Sequence, residues 1–115
     1  MRIVNLTPHT IRLYLPDGEV REVPPSGTVG RLQTRREVIG TVGGMPVVRV
    51  THGEPVGLPQ PEEGTIYLVP LIVLQACRGR TDVFALDTSP EGAVRDEHGN
   101  VVGTKALVAP PDFCP

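Results

Sequence analysis

The sequence predicts a mainly β fold, either a small β-sandwich or a partly open β-barrel, with one short helix. The apolar residues are mostly aliphatic, since Trp is absent and only two Tyr and two Phe occur, and β-branched side chains fit a half-buried pleated surface. Thirteen glycines and thirteen prolines separate short apolar runs, which indicates many turns. A chain of 115 residues fits one domain. We place this domain over residues 1–109 and an extended, Pro-rich tail over 110–115.

Alternation and turn residues position the individual elements. Ile11 and Leu13 alternate with polar residues, as in a half-buried strand, and the Pro-Asp-Gly segment 16–18 is typical of a tight hairpin turn. Gly43-Gly44 marks a second hairpin. We predict strands over 3–6, 10–15, 19–23, 28–32, 37–42, 45–50, 65–69, 83–86, 93–95 and 101–107, a helix over 70–78, and loops over 24–27, 51–61 and 96–100.

Charge and hydropathy exclude several classes of partner. Eleven basic and thirteen acidic residues give a net charge of −2. The chain therefore lacks the excess of basic residues that is typical of proteins that bind nucleic acid. The longest apolar stretch, from Tyr67 to Ala76, is about half of what a membrane span needs. The amino-terminal residues do not form a secretory signal. We therefore expect a cytoplasmic protein that binds neither nucleic acid nor membrane.

Catalytic and metal-binding motifs are missing from the sequence. His9, His52 and His98 have no zinc-ligand spacing, and Cys77 and Cys114 are too few for a disulfide framework. Neither a GxSxG nucleophile elbow nor a phosphate-binding glycine loop occurs. We assign no catalytic residue, no metal and no cofactor, and we expect the chain to be a binding protein instead of an enzyme.

Five segments, in this order, together resemble a family of small proteins found in tailed bacteriophages and prophages. They are residues 5–9 (NLTPH), 24–27 (PPSG), 57–61 (GLPQP), 63–69 (EGTIYLV) and 93–100 (AVRDEHGN). The resemblance implies a phage setting, and hence the cytoplasm of an infected host. It implies no particular chemical activity.

Small phage proteins without enzyme motifs often bind a host component, so the resemblance suggests two hypotheses. In the first, the chain is an oligomer that sequesters a small anionic host immune signal, such as a cyclic nucleotide or a cyclic ADP-ribose derivative. Arginine makes bidentate hydrogen bonds to phosphate, and hydroxyl, amide and imidazole groups can bind ribose or base. The ligand-binding candidates are Asn5, His9, Ser26, Arg31, Arg95 and Asp96.

The second hypothesis is a structural or host-protein-inhibiting phage protein that acts through a protein–protein interface, by a sheet edge or an apolar face. A third, a metal-independent phosphodiesterase that uses His9, also stays open. In each case a homo-oligomer is expected, because a chain this small has few walls for an enclosed pocket and a second copy supplies more.

Overall fold

The computed structural model describes residues 1–111 and Phe113, and these form ten strands and one short helix. The mainly β fold with one helix is therefore confirmed. The three sheets remain open, and none closes into a barrel among the described residues. The elements are β1 (Arg2–Asn5), β2 (Ile11–Tyr14), β3 (Val20–Val23), β4 (Arg31–Val42), β5 (Met45–Val56), β6 (Thr65–Leu68), α1 (Leu71–Ala76), β7 (Val83–Leu86), β8 (Ala93–Arg95), β9 (Val101–Thr104) and β10 (Leu107–Val108).

The first sheet has the strand order β1-β6-β7-β10. Its strands β1, β6 and β7 are parallel, and β10 is antiparallel to β7. Because parallel neighbours need a crossover connection, the segment with α1 lies between β6 and β7. The helix begins after Pro70, whose fixed φ of −59° suits a helix start.

The second sheet has the order β3-β2-β9-β8. Its β2–β3 and β8–β9 pairs are antiparallel hairpins, as the turn residues predict, and β2 and β9 are joined in parallel at Leu13 and Thr104. This sheet covers one face of the first sheet.

The first sheet is buried on both faces. Tyr67 and Val69 pack in a cluster with Val73 and Leu74 of α1, whereas Leu68 between them packs with the second sheet. Successive strand residues point to opposite faces, so α1, the first sheet and the second sheet are three stacked layers. The helix-side cluster contains Leu6, Tyr67, Val69, Val73, Leu74, Cys77, Val83 and Ala85, and the sheet-side cluster contains Ile11, Leu13, Val23 and Leu68.

The strands β4 and β5 form a two-stranded hairpin, which we call the arm (Arg31–Val56). The sequence predicts a break at Arg35-Arg36, which is wrong. It also predicts an irregular loop over 51–61, which is wrong for residues 51–56 and confirmed for residues 57–61. Strand β4 continues through the two arginines, and β5 continues to Val56. Both faces of the arm are exposed to solvent, so long charged side chains fit at consecutive positions. Bulges near Gln33 and Ile39 accommodate the remaining irregularity.

The single strand predicted over 101–107 is in fact two strands in different sheets. Thr104 Oγ1 accepts a hydrogen bond from Ala106 N–H and lies 2.8 Å from Asp87 O. These contacts turn the chain after β9, so that β10 pairs with β7 of the first sheet.

In the predicted tail, Phe113 N–H donates to Pro110 O, and the Phe113 ring packs edge-on against Phe84. Asp112, Cys114 and Pro115 lie outside the described residues.

Gly103 in β9 fits where no side chain would. A Cβ there would lie 2.6 Å from Arg12 O and would overlap the Tyr14 ring. We expect Gly103→Ala to lower the free energy of unfolding by about 1–3 kcal/mol through overpacking. Gly40→Ala is the matched control, because a Cβ at Gly40 in the arm meets nothing within 4 Å. Urea unfolding measures both, and an equal effect of the two substitutions would contradict the close packing of β2 and β9.

Candidate functional site

A groove of about 480 Å³ opens where the two main sheets meet. Its walls are the segment 7–12 before and within β2, the segment 69–71 at the start of α1, residue 86 at the end of β7, residue 88 after it, and the segment 101–103 of β9. The lining is mostly apolar, with Leu71 and Val101 exposed. We call this feature the groove.

The wall formed by residues 7–9 depends on Asn5, which is 1% exposed. Its Nδ2 donates to His9 O at 2.7 Å and to Val23 O at 3.0 Å. Its Oδ1 accepts from the backbone N–H of Thr7 at 2.9 Å and from Thr7 Oγ1 at 2.7 Å. These four hydrogen bonds use the full capacity of the amide. Asn5 therefore holds the loop from inside and does not face solvent.

Arg12 supplies a guanidinium to the groove lining, and His9 supplies an imidazole. His9 is exposed, and Arg12 Nε lies 3.3 Å from Glu22 Oε2 in an exposed ion pair. Among the residues that the structure describes, no carboxylate lines the groove. The sequence does not identify Arg12 as a residue of the groove. Its alternation with Ile11 and Leu13 marks it only as outward-facing and does not reveal that β9 lies beside it.

Ser26 lies close to the same loop, whereas Arg31 begins the arm. Ser26 N–H donates to Asn5 O at 3.0 Å, and Ser26 Oγ lies 3.2 Å from Thr28 O. Gly30 N–H donates to Leu6 O at 2.8 Å and so fixes the chain just before Arg31. Neither Ser26 nor Arg31 lines the groove.

Arg95 and Asp96 lie in the β8–β9 hairpin. Asp96 Oδ1 accepts from the N–H groups of His98 and Asn100, and Arg95 Nη1 donates to Gly99 O at 2.8 Å. Both side chains thus stabilise their own hairpin loop, and neither lines the groove. Of the six residues predicted as ligand-binding, hydrogen bonds bring Asn5, His9 and Ser26 together.

A separate polar contact joins the segment between α1 and β7 to the loop that follows the arm. Arg80 donates to both carboxylate oxygens of Asp82, at 2.8 and 3.0 Å, and to Pro59 O at 3.1 Å. The Arg80 guanidinium holds the pKa of Asp82 below its usual range. Burial raises the pKa of the nearby Cys77 thiol, so this cysteine stays protonated and is not a reactive thiolate.

Neither a metal centre nor a membrane span is found within residues 1–111 and Phe113. No three His, Cys, Asp or Glu side chains converge there as a metal site. The one helix of the described residues has six residues and is too short to cross a bilayer.

The arm is the most exposed part of the described chain. None of its 26 residues, all of which the structure describes, is buried, although Leu32 at its base packs against the helix-side cluster. Val38 lies opposite Val48, and Arg36 lies opposite Val50, so these four side chains share one face. Large apolar side chains are exposed along the arm and at its tip: Val38, Ile39, Val42, Met45 and Val50.

Comparison with known proteins finds no matching family model, no similar curated protein and no similar solved structure. The phage resemblance of the five segments therefore stays a prediction.

Replacing Asn5 tests its role in the groove wall. Asn5→Ala removes the partners of Val23 O and Thr7 N–H, so we expect it to lower the free energy of unfolding by about 2–4 kcal/mol. Asn100→Ala is the control, because Asn100 is exposed in a hairpin loop. Urea denaturation measures both variants. A loss for Asn5→Ala no larger than for the control would show that the buried amide is not needed for folding.

Proposed function

We propose that this chain is a non-enzymatic interaction protein, of the phage type that its five segments resemble, and that it acts through a protein–protein interface on the arm. The observation that supports the proposal is the exposure of the arm: 19 of the 24 strand residues of β4 and β5 are exposed, the other five are half-buried, and none is buried. Isolated two-stranded hairpins are only marginally stable in water. A partner that covers the arm would offset this cost.

The side chains of the arm suit a protein partner. Val38, Val48 and Val50 form an apolar strip on one face, flanked by Arg36. Exposed apolar groups with an arginine beside them are typical of interface cores. The arm contains four arginines and two glutamates, which gives it a net charge of +2. An acidic or neutral protein surface therefore fits it better than a basic one.

The open edges of the arm offer a second means of contact. Strands β4 and β5 pair with each other and with no other described strand. Pro46 and Pro55 remove N–H donors from β5, whereas β4 contains no proline. Strand β4 is therefore the edge better suited to pairing with a strand of a partner.

Photo-crosslinking in cells tests this interface. We place a photoreactive phenylalanine analogue at Val38 on the arm and, as a matched control, at Val20 on β3; these valines are 58% and 47% exposed. We expect one discrete protein adduct from position 38 and none from position 20, because apolar contacts concentrate on the arm. Mass spectrometry of the crosslinked peptides identifies the partner. Equal or diffuse adducts from both positions would contradict the proposal.

Capture of a small anionic ligand is a second candidate function, and the guanidinium of Arg12 in the groove lining favours it. His9 and Arg12 both lie there, and no carboxylate does among the described residues. The volume falls within the usual range of ligand pockets. In this function the chain sequesters a nucleotide-derived host signal without converting it.

Native mass spectrometry with cyclic nucleotides and cyclic ADP-ribose isomers tests ligand capture. We expect an intact ligand at fixed stoichiometry and at least a tenfold loss of affinity in Arg12→Ala, because a guanidinium–phosphate contact is lost. His98→Ala serves as the control, since His98 lies in the β8–β9 hairpin loop. Absence of retention would exclude capture of these ligands, and conversion to a product abolished by His9→Ala would indicate a phosphodiesterase.

A further inference from the structure

Strand β4 has an outer edge that no described segment covers. It pairs with β5 on one side, and no backbone hydrogen bond joins it to any other described residue. In an antiparallel pair, alternate residues direct both their N–H and their C=O groups away from the partner strand. Because β4 contains no proline, these residues present a row of free donors and acceptors.

The middle of this edge has a regular backbone. Residues 34–38 lie opposite residues 52–48 with no shift in register, whereas the register shifts just before Thr34 and just after Val38. Bulges bend a strand and disrupt its pairing locally, so an added strand pairs best with the regular part. Five residues in a strand extend about 17 Å. We call residues 34–38 the open edge.

The arginines of the open edge have no acidic partner in the arm. Arg35 and Arg36 lie opposite uncharged residues of β5, whereas Glu37 lies opposite Arg49. None of the ion pairs among the described residues includes an arginine of the arm. With three arginines and one glutamate, β4 has a net charge of +2. The open edge therefore has two guanidinium groups that are free to pair with carboxylates.

The two arginines lie on opposite faces of the arm, because successive strand residues alternate between faces. Arg35 shares its face with Glu37, and Arg36 shares its face with Val38. In neighbouring strands, residues directly opposite each other have Cβ atoms about 4.5–5.5 Å apart. Two consecutive acidic residues of an added strand would therefore lie against the two arginines. An apolar residue two positions further along that strand would lie against Val38.

A peptide fits this edge better than a nucleic acid or a second copy of β4. Phosphodiester oxygens only accept hydrogen bonds, so they would leave the C=O groups of the edge without donors. A second copy of β4 would bring a further net charge of +2 to the same edge, and like charges directly opposite each other are destabilising. A peptide backbone supplies both donors and acceptors, and carboxylate side chains supply the opposite charge.

From these observations we infer that the open edge of β4 takes up an extended, acidic segment of the partner protein as an added strand. The inference rests on the proposed function and names the chemical class of the partner. In this mode of recognition, main-chain hydrogen bonds supply affinity and side chains supply specificity. Arg35 and Arg36 select carboxylates at two consecutive positions, and Val38 selects an apolar residue. A third strand also stabilises a hairpin that is only marginally stable alone.

Fluorescence anisotropy with labelled synthetic peptides tests the inference on the full chain. The probe is a short peptide with the central sequence Glu-Glu-Thr-Val, and its matched control has Gln-Gln-Thr-Val. We expect the probe to bind with a dissociation constant of at most about 100 µM and the control to bind at least about tenfold more weakly. Arg36→Glu should weaken binding of the probe at least about tenfold. Arg21→Glu on β3, an exposed position with the same change of charge, should bind like the wild type.

A charge exchange tests whether the pairing is local. The double variant Arg35→Glu, Arg36→Glu should bind a Lys-Lys-Thr-Val peptide more tightly than it binds the probe, and the wild type should show the reverse preference. Circular dichroism confirms that the variant is folded. A folded double variant without this reversed preference would show that the two arginines do not recognise the acidic residues.

Methylation of alternate backbone nitrogens in the probe separates strand addition from charge attraction alone. One alternating set of N–H groups faces β4 and the other faces away, so methylation of only one set should abolish binding. The inference is wrong if the probe does not bind, if neither set matters, or if a single-stranded DNA oligonucleotide binds as tightly as the probe. In each of these cases, a discrete protein adduct at Val38 would still support the proposed function.

Discussion

The rest of the structure depends on the burial of both faces of the first sheet. Tyr67 and Val69 face α1, and Leu68 faces the second sheet, so β6 has no solvent-exposed face. Parallel strands of this kind are stable only when both faces are covered. The crossover after β6 supplies one cover as α1, and the β2–β3 and β8–β9 hairpins supply the other. Both clusters of buried apolar residues lie in this three-layer core, and the arm reaches it through Leu32 at its base.

The groove is a consequence of the same layering. The first and second sheets pack face to face, but β1 connects to β2 through a loop that must leave one sheet and enter the other. Asn5 stabilises this change of sheet. Its side-chain amide donates hydrogen bonds to the carbonyls of His9 and Val23 and accepts one from the N–H of Thr7. Residues that close such a corner with a buried side chain resemble ligand-binding residues in sequence, since both are polar and adjacent to turns.

Local patterns in the sequence predict the local structure well and the long-range structure poorly. The hairpin turns, the strand 83–86 and the helix near Leu71 follow from alternation, Gly-Gly and Pro signals. The parallel pairing of β1 with β6 and the separation of β9 from β10 depend on contacts between distant segments, which no local pattern encodes. The hairpin at Gly43-Gly44 is predicted, but the full length of its two strands is not, because Arg35-Arg36 and Thr51 to Pro55 are typical of loops. The groove residue Arg12 was missed because its neighbour β9 lies 90 residues away.

Phosphate binding and protein binding make opposite demands on the groove. A groove that binds a phosphate needs Arg12 free from its partner Glu22, whereas a groove that receives a protein segment needs its apolar wall at Leu71 and Val101. The apolar lining favours the second use, because burying an anion against it would leave much of the charge without hydrogen bonds. The balance of these terms favours a protein segment as the occupant of the groove.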